Sequence, residues 1–145
     1  MVDSYYSYDR HEIVKFLPLQ YSRVLEIGCG QGQFRKQLEK NIEYWGVEYN
    51  RNAAEEASLL SFKMLIGAYD EIHEKLPVDY FALVICNDVI EHMQDEQWLL
   101  SSLLEKLTQT GSLVGSIPNV RQIENLYRLI FLKDWKYNEA GVLDR

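Results

Sequence analysis

The stretch Val24-Leu25-Glu26-Ile27-Gly28-Cys29-Gly30-Gln31-Gly32-Gln33-Phe34 constrains this chain more than any other. Val24, Leu25 and Ile27 suit a buried strand. Gly28, Gly30 and Gly32 then occupy alternate positions, where main chain can turn through left-handed backbone at no steric cost. Phe34 and Leu38 follow four residues apart, the spacing of one helix face. A glycine-rich turn from strand to helix lets backbone approach a ligand closely, and the helix start offers free N–H groups. The turn therefore predicts a nucleotide-type ligand site, with the rest of the chain supplying the sheet and the remaining walls.

On either side of the turn, strand and helix patterns alternate. Strands are predicted over residues 21–27, 44–48, 62–66, 81–86 and 112–117. Phe81-Ala82-Leu83-Val84-Ile85-Cys86 is apolar throughout, as expected of a central parallel strand covered on both faces. Helices are predicted over 31–40, from an Asn50 cap to about residue 60, over 70–76, over 95–107 and over 120–133. A short helix carrying Ile13, Val14, Phe16 and Leu17 ends before Pro18. In the helix over 95–107, Leu99, Leu103 and Leu107 form one apolar row and Leu100 and Leu104 the next, with Gly111 after the end. The pattern predicts an α/β fold: an open, mostly parallel Rossmann-like sheet, strand order 3-2-1-4-5, with helices on both faces. Ligands bind such sheets at the carboxyl ends of the strands, beside the switch between strands one and four. The glycine turn, Glu48, residues 67–70 and Asn87-Asp88 converge there.

The totals narrow the class. At 145 residues and 47% hydrophobic content, the chain reads as one domain, residues 1–145, with ample material for a core. A net charge of −7 argues against a nucleic-acid partner. No apolar run is long enough to span a membrane. Met1-Val2-Asp3-Ser4 lacks the basic start and apolar run of a secretory leader, so a cytoplasmic location is expected. Cys29 and Cys86 end buried strands and read as free thiols, too few for a structural zinc site, and no metal is expected.

The glycine spacing separates ligand classes. A dinucleotide fingerprint reads G-x-G-x-x-G around a pyrophosphate. Here the spacing is G-x-G-x-G, and Glu26 stands two residues before the first glycine. A carboxylate is unfavourable beside a pyrophosphate and favourable beside an ammonium group. S-adenosylmethionine has an α-amino group, a sulfonium and no phosphate, and is the cofactor these residues suit. In the alternative, Glu26 caps the turn backbone and touches no ligand. Glu48 ends strand two, 20 residues past the first glycine, where an acid can accept from both ribose hydroxyls. That arrangement serves any adenosine cofactor.

With these residues in place, the chain resembles the class I S-adenosylmethionine-dependent methyltransferases. Val24 to Gly32 is similar to the family's first motif and Val47-Glu48 to its second. Val84-Ile85-Cys86-Asn87-Asp88-Val89-Ile90-Glu91-His92-Met93 resembles the fourth-strand motif of the small-molecule branch. Ser116-Ile117-Pro118-Asn119-Val120 and Gly141-Val142-Leu143-Asp144-Arg145 resemble later segments of a bacterial and archaeal, glycan-associated subgroup. The resemblance implies that Gly28, Cys29 and Gly30, with Gly32 completing the turn, lie under the methionine part, with Glu26 near its amino group. It implies Glu48 on the ribose, Tyr49 against the adenine, and the Asn87 backbone carbonyl on the amino group with Asp88 nearby. Ala68 stands where the family often has an acid for the adenine, and Asp70 comes two residues later. Either Asp70 substitutes or backbone amides read the ring.

Three other features stay open. His92 is either a base for an oxygen or nitrogen nucleophile or a structural, substrate-shaping residue. Tyr5, Tyr6 and Tyr8 form either a lid over the cofactor or an irregular terminus. Trp98, Trp135, Leu126, Leu129, Ile130 and Phe131 belong either to an acceptor pocket or to the core. The resemblance also implies two further strands and a helix after Arg145, so the chain reads as C-terminally truncated. Strand five is then an open edge, which a homo-oligomer would cover. The expected function is methyl transfer from S-adenosylmethionine to a small-molecule or glycan-linked acceptor, with S-adenosylhomocysteine as product. The alternative is a non-catalytic module that binds either form of the cofactor or a partner.

Overall fold

The computed structural model describes residues 10–60, 62–117 and 131. Five parallel strands form one sheet: β1 (Arg23–Ile27), β2 (Glu43–Glu48), β3 (Lys63–Ile66), β4 (Phe81–Asn87) and β5 (Leu107–Ser116). Their order is β3-β2-β1-β4-β5, as the alternation of strands and helices predicts. The register sets Glu26 opposite Gly46 on β2 and Ile85 on β4.

Side chains alternate across each strand, so the sheet feeds two cores. One holds Leu25, Ile27, Val47, Val84 and Cys86 with Leu99 and Leu103. The other holds Val24, Tyr44, Leu83 and Ile85 with Ile13, Phe34 and Leu38. By the same alternation Glu26, Glu48 and Asn87 fall on the second face, at the carboxyl ends of their strands.

The helices follow their caps. Helix α1 (Arg51–Ser58) starts where the Asn50 side chain accepts from the N–H groups of Asn52 and Ala53, and it buries Ala53, Ala54 and Ala57. Helix α2 (Tyr69–Ile72) continues as a 3₁₀ turn, His73–Lys75. Helix α3 (Glu96–Lys106) is capped by Asp95, whose carboxylate accepts from the Trp98 N–H at 2.8 Å.

Several expectations need correction. The helix over 31–40 is only a 3₁₀ turn, Phe34–Gln37. Gly32 is left-handed, Gln33 supplies no side-chain cap, and the Arg35 guanidinium draws in the carbonyls of Glu39 and Lys40. Phe34 and Leu38 are nonetheless both buried on one core. The segment before Pro18 is likewise 3₁₀, His11–Phe16. Gly111 does not terminate α3. Leu107 turns extended at once and pairs with Phe81, and a register irregularity follows before Ser112 pairs with Leu83. Within it, a Cβ on Gly111 would come 2.9 Å from the Phe81 carbonyl oxygen, so only glycine fits the close approach. Finally, strand five runs Leu107–Ser116 rather than 112–117, since the chain turns extended directly after α3; within α3 Leu99 and Leu103 join the core while Leu104 is 61% exposed.

The expected last helix, Trp135, the tyrosines Tyr5, Tyr6 and Tyr8, and Leu126, Leu129 and Ile130 lie outside the described residues; among the described residues β5 pairs only with β4, and Phe131 is exposed.

The contrast within α3 is testable. Leu103 is fully buried, so Leu103→Ala is expected to cost ~2–5 kcal/mol of unfolding free energy. Leu104→Ala is expected to stay within ~0.5 kcal/mol of the parent, both read from urea unfolding.

Candidate functional site

The glycine turn is held from below. Gly28, Gly30 and Gly32 have φ of 70°, 53° and 74°. The N–H groups of Gly28 and Cys29 both donate to the Val47 carbonyl, at 2.8 and 3.1 Å, which fastens the turn to the end of β2. Gly28 is required twice: its φ is left-handed, and a Cβ there would meet Val89 Cγ2 at 2.5 Å. Cys29 turns its thiol inward toward Met64, 3.7 Å away, and burial raises that thiol well above its ordinary range. Cys29 therefore presents main chain, not sulfur, to the turn. Gly32 packs against Leu60 and Phe62.

Glu48 fixes the other side. It is only 2% exposed. One carboxylate oxygen accepts from the Gly30 N–H at 2.9 Å and the other from the Asn50 N–H at 2.8 Å. Burial raises its pKa, and those two donors, with the Tyr49 N–H, pull it back. Each oxygen keeps acceptor capacity for a further donor.

Glu26 has a different partner. It is buried beside Tyr44, whose hydroxyl donates to its carboxylate. Desolvation pushes Glu26 up to about 8, the Tyr44 hydrogen bond works against that rise, and the nearby Glu48 adds to it. No ion pair to Glu26 exists among the described residues. Capping of the turn backbone, one reading of Glu26, is performed by Glu48 instead.

The end of β4 completes the cluster. Both amide atoms of Asn87 are buried and lack a hydrogen-bond partner among the described residues. Asp88 adopts φ of 52° and is locked there. Its N–H donates to the Ser116 carbonyl at 3.0 Å, one carboxylate oxygen accepts from the Ser116 hydroxyl at 2.7 Å, and the other pairs with Arg10.

The structure thus brings Glu26, Gly28, Cys29, Gly30, Glu48, Asn87 and Asp88 to the carboxyl ends of β1, β2 and β4. Tyr49 follows Glu48 and is exposed. Ala68 is the extended residue that starts α2, and Asp70 is exposed in its first turn, both beyond the end of β3. His92 lies apart, exposed in a 3₁₀ turn, Ile90–His92, and its ring has no hydrogen bond among the described residues. Trp98 packs on Tyr69 and His73, with ring centroids 6.0 and 5.1 Å away, against the core. Sequence reasoning missed Tyr44, Arg10 and Ser116. Tyr44 was findable, because it shares the period-two face of β2 with Glu48 and pairs with Val24, two residues before Glu26.

Comparison with known proteins gives a consistent picture. The methyltransferase-domain family model matches residues 4–141. A malonyl-[acyl-carrier protein] O-methyltransferase of Calditerrivibrio nitroreducens is 30% identical over 121 residues, 81% of this chain and 46% of that protein. A solved SAM-dependent methyltransferase from Archaeoglobus fulgidus is 28% identical, with a TM-score of 0.62 over 73% of this chain and 50% of that one. The plantazolicin methyltransferase BamL, solved with a desmethyl analogue and SAH, shares the fold at 21% identity and a TM-score of 0.60, over 76% of this chain and 40% of its own. The chain spans about half the length of these relatives.

The buried acid sets a pH test. Glu26 has an ordinary value of 4.5 and a folded value of about 8. A carboxyl raised on folding stabilises below the lower value, and that contribution is lost as pH rises through the higher one. Glu26→Gln keeps an acceptor for Tyr44 and removes the titration. The variant is expected to lose this part of the fall in stability between pH 5 and 8, and to exceed the parent by ~1–3 kcal/mol at pH 8. Urea unfolding at the two pH values reads the difference, and parallel pH profiles would contradict it.

Proposed function

We propose that this chain, which belongs to the methyltransferase-domain family, binds S-adenosylmethionine across the glycine turn and transfers its methyl group to a small-molecule or glycan-linked acceptor, leaving S-adenosylhomocysteine. One observation carries the reading: two buried acids and a buried, unpartnered amide surround a glycine turn, with no cation paired to either acid among the described residues. A phosphate would meet two buried carboxyl groups there and no cation paired to them. A ligand with an ammonium group, ribose hydroxyls and no phosphate suits that donor set.

The residues divide the ligand among them. Glu26 faces the ammonium, and Glu48 offers its remaining lone pairs to the ribose hydroxyls. Gly28, Cys29 and Gly30 give main-chain contact along the methionine part, with Gly32 behind the turn. Tyr49 lies on the adenine side with Ala68 and Asp70. Asp88 shapes the rim through its lock on β5. The bound cofactor supplies the electrophilic methyl group. The chain's own share is alignment and exclusion of water, which carry most of the effect in such a transfer. His92 is the side chain past β4 that could take a proton from an oxygen or nitrogen acceptor. The curated relative acts on a malonyl-[acyl-carrier protein], which supports a small acceptor group over nucleic acid.

Isothermal titration with S-adenosylhomocysteine tests the reading. Saturable binding is expected. Repeated at pH 7 in buffers of differing ionisation enthalpy, it should release close to one proton per ligand, because the ammonium draws Glu26 into its ionised form. Glu26→Gln should abolish the release. A folded protein that shows no binding heat would refute the proposal.

A further inference from the structure

We infer that a groove beside Tyr44, at the start of β2, is a second ligand site built for a small aromatic carboxylate. Its apolar walls are Ile42, Tyr44, Leu60 and Phe62, and it holds about 210 Å³. An apolar cavity of ~150 Å³ already admits a benzene ring, so one ring with a short polar arm fits. The walls are set by the core behind them. Tyr44 is buried, and Phe62 meets it edge-on with ring centroids 4.7 Å apart. Leu60 stands at the mouth, 41% exposed. Glu48 ends the same strand five residues further on, about 16 Å away. An occupant of the groove therefore does not overlap the ligand proposed at the strand carboxyl ends, and the inference stands apart from that reading.

Charge decides the polar end of the ligand. Arg35, Glu43 and Lys63 border the groove, and the last two neutralise each other. Lys63 Nζ lies 3.2 Å from a Glu43 carboxylate oxygen and 4.1 Å from the Trp45 ring centroid. Glu43 also accepts from Trp45 Nε1 at 2.8 Å and from the Tyr80 hydroxyl at 2.7 Å, and these donors hold its carboxyl below the ordinary value. Alternation along β2 sends Glu43 and Trp45 to the face opposite Tyr44, and Lys63, the β3 partner of Trp45, goes with them. Arg35 is the charge left over. Its guanidinium carbon lies 5.7 Å from the Tyr44 ring centroid, and no carboxylate pairs with it among the described residues. Two N–H groups donate to the carbonyls of Glu39 and Lys40, both at 3.0 Å, which leaves three of the five donors of the fork. Those two bonds also pin the fork, so little order is lost when a ligand meets it. An ammonium would be repelled there. A carboxylate takes the remaining donors in the paired geometry that a guanidinium offers.

The test titrates the protein with phenylacetate, its neutral isostere phenylacetamide and the cation phenethylamine, followed by NMR. Phenylacetate is expected to saturate with a dissociation constant of about 0.1–5 mM, the range open to so small a ligand. It should shift the ring signals of Tyr44 and Phe62 and the methyl signals of Ile42 and Leu60. Phenylacetamide should bind about tenfold more weakly or worse, as for loss of a hydrogen bond between charged groups, and phenethylamine should not saturate. Arg35→Met removes the cation. Leu60→Glu sets an anion at the mouth and leaves the Arg35 bonds to Glu39 and Lys40 in place. Each is expected to weaken phenylacetate about tenfold or more, and the Leu60→Glu protein should melt close to the parent because that side chain is partly exposed. Equal binding of the acid and the amide would mean that Arg35 only braces the turn behind β1, and would overturn the inference. So would the absence of a saturable shift with phenylacetate, shifts confined to residues outside the groove, or full affinity in a folded Leu60→Glu protein. Phenylacetate is titrated without S-adenosylhomocysteine, so failure here leaves the cofactor reading untouched, and the reverse holds.

Discussion

A single carboxylate ties the architecture of the site together. Glu48 stands at the end of β2 and bonds the N–H of Gly30 on one side and of Asn50 on the other. The first bond fixes the glycine turn after β1, and the second fixes the cap from which α1 departs. Two βα connections therefore share one buried anchor. Such a bond is worth more than a neutral one, because the acceptor is charged and the surroundings exclude water. It also explains why the turn keeps its shape when the segment after it barely forms a helix. The turn is held by strand β2 at Val47 and Glu48, so a short 3₁₀ turn suffices behind it.

The second acid is arranged in the opposite way. Glu48 has main-chain donors that favour its charged form, whereas Glu26 has one neutral hydroxyl and a low-dielectric setting. Two carboxylates on one face of a sheet could not both stay charged without a counterion. The fold resolves this by giving each a different environment. Tyr44 shares the cost, since its own ionisation is pushed upward by burial and by Glu26. The result is one acid built into the scaffold and one whose charge depends on what lies beside it.

The sheet order, and the gathering of Glu26, Glu48 and Asn87 at the strand ends, were legible because they rest on patterns that local chemistry enforces. An apolar run such as Phe81 to Cys86 has few uses other than a central strand, and three spaced glycines after a strand have few uses other than a tight turn. Asn50 capped its helix as its side chain requires. What was not legible depended on contacts between distant residues. Gly111 looked like a helix terminator because glycine often ends helices. Its place is instead a strand irregularity, dictated by how closely Leu107 and Phe81 approach. The helix over 31–40 failed because left-handed Gly32 and the Arg35 bonds to Glu39 and Lys40 outweighed an apolar spacing that was itself correct. In α3 the periodicity gave two leucine rows, and only the sheet could say which one it would cover.

The site's own composition argues for its use. A buried carboxyl held protonated, an amide without partners and an aspartate in left-handed backbone each raise the free energy of the fold. They fall on two adjacent strands, on either side of the switch point where a parallel sheet opens to ligand. Strain and unmet polar capacity scattered through a core would signal poor packing. Gathered at one strand end, beside left-handed glycines, they concentrate the fold's unfavourable terms where the sheet opens. Arg10 and Ser116 sharpen the point. Their bonds to Asp88 balance that carboxylate within the chain, which leaves Glu26 without an ion pair and the Asn87 amide without a partner among the described residues.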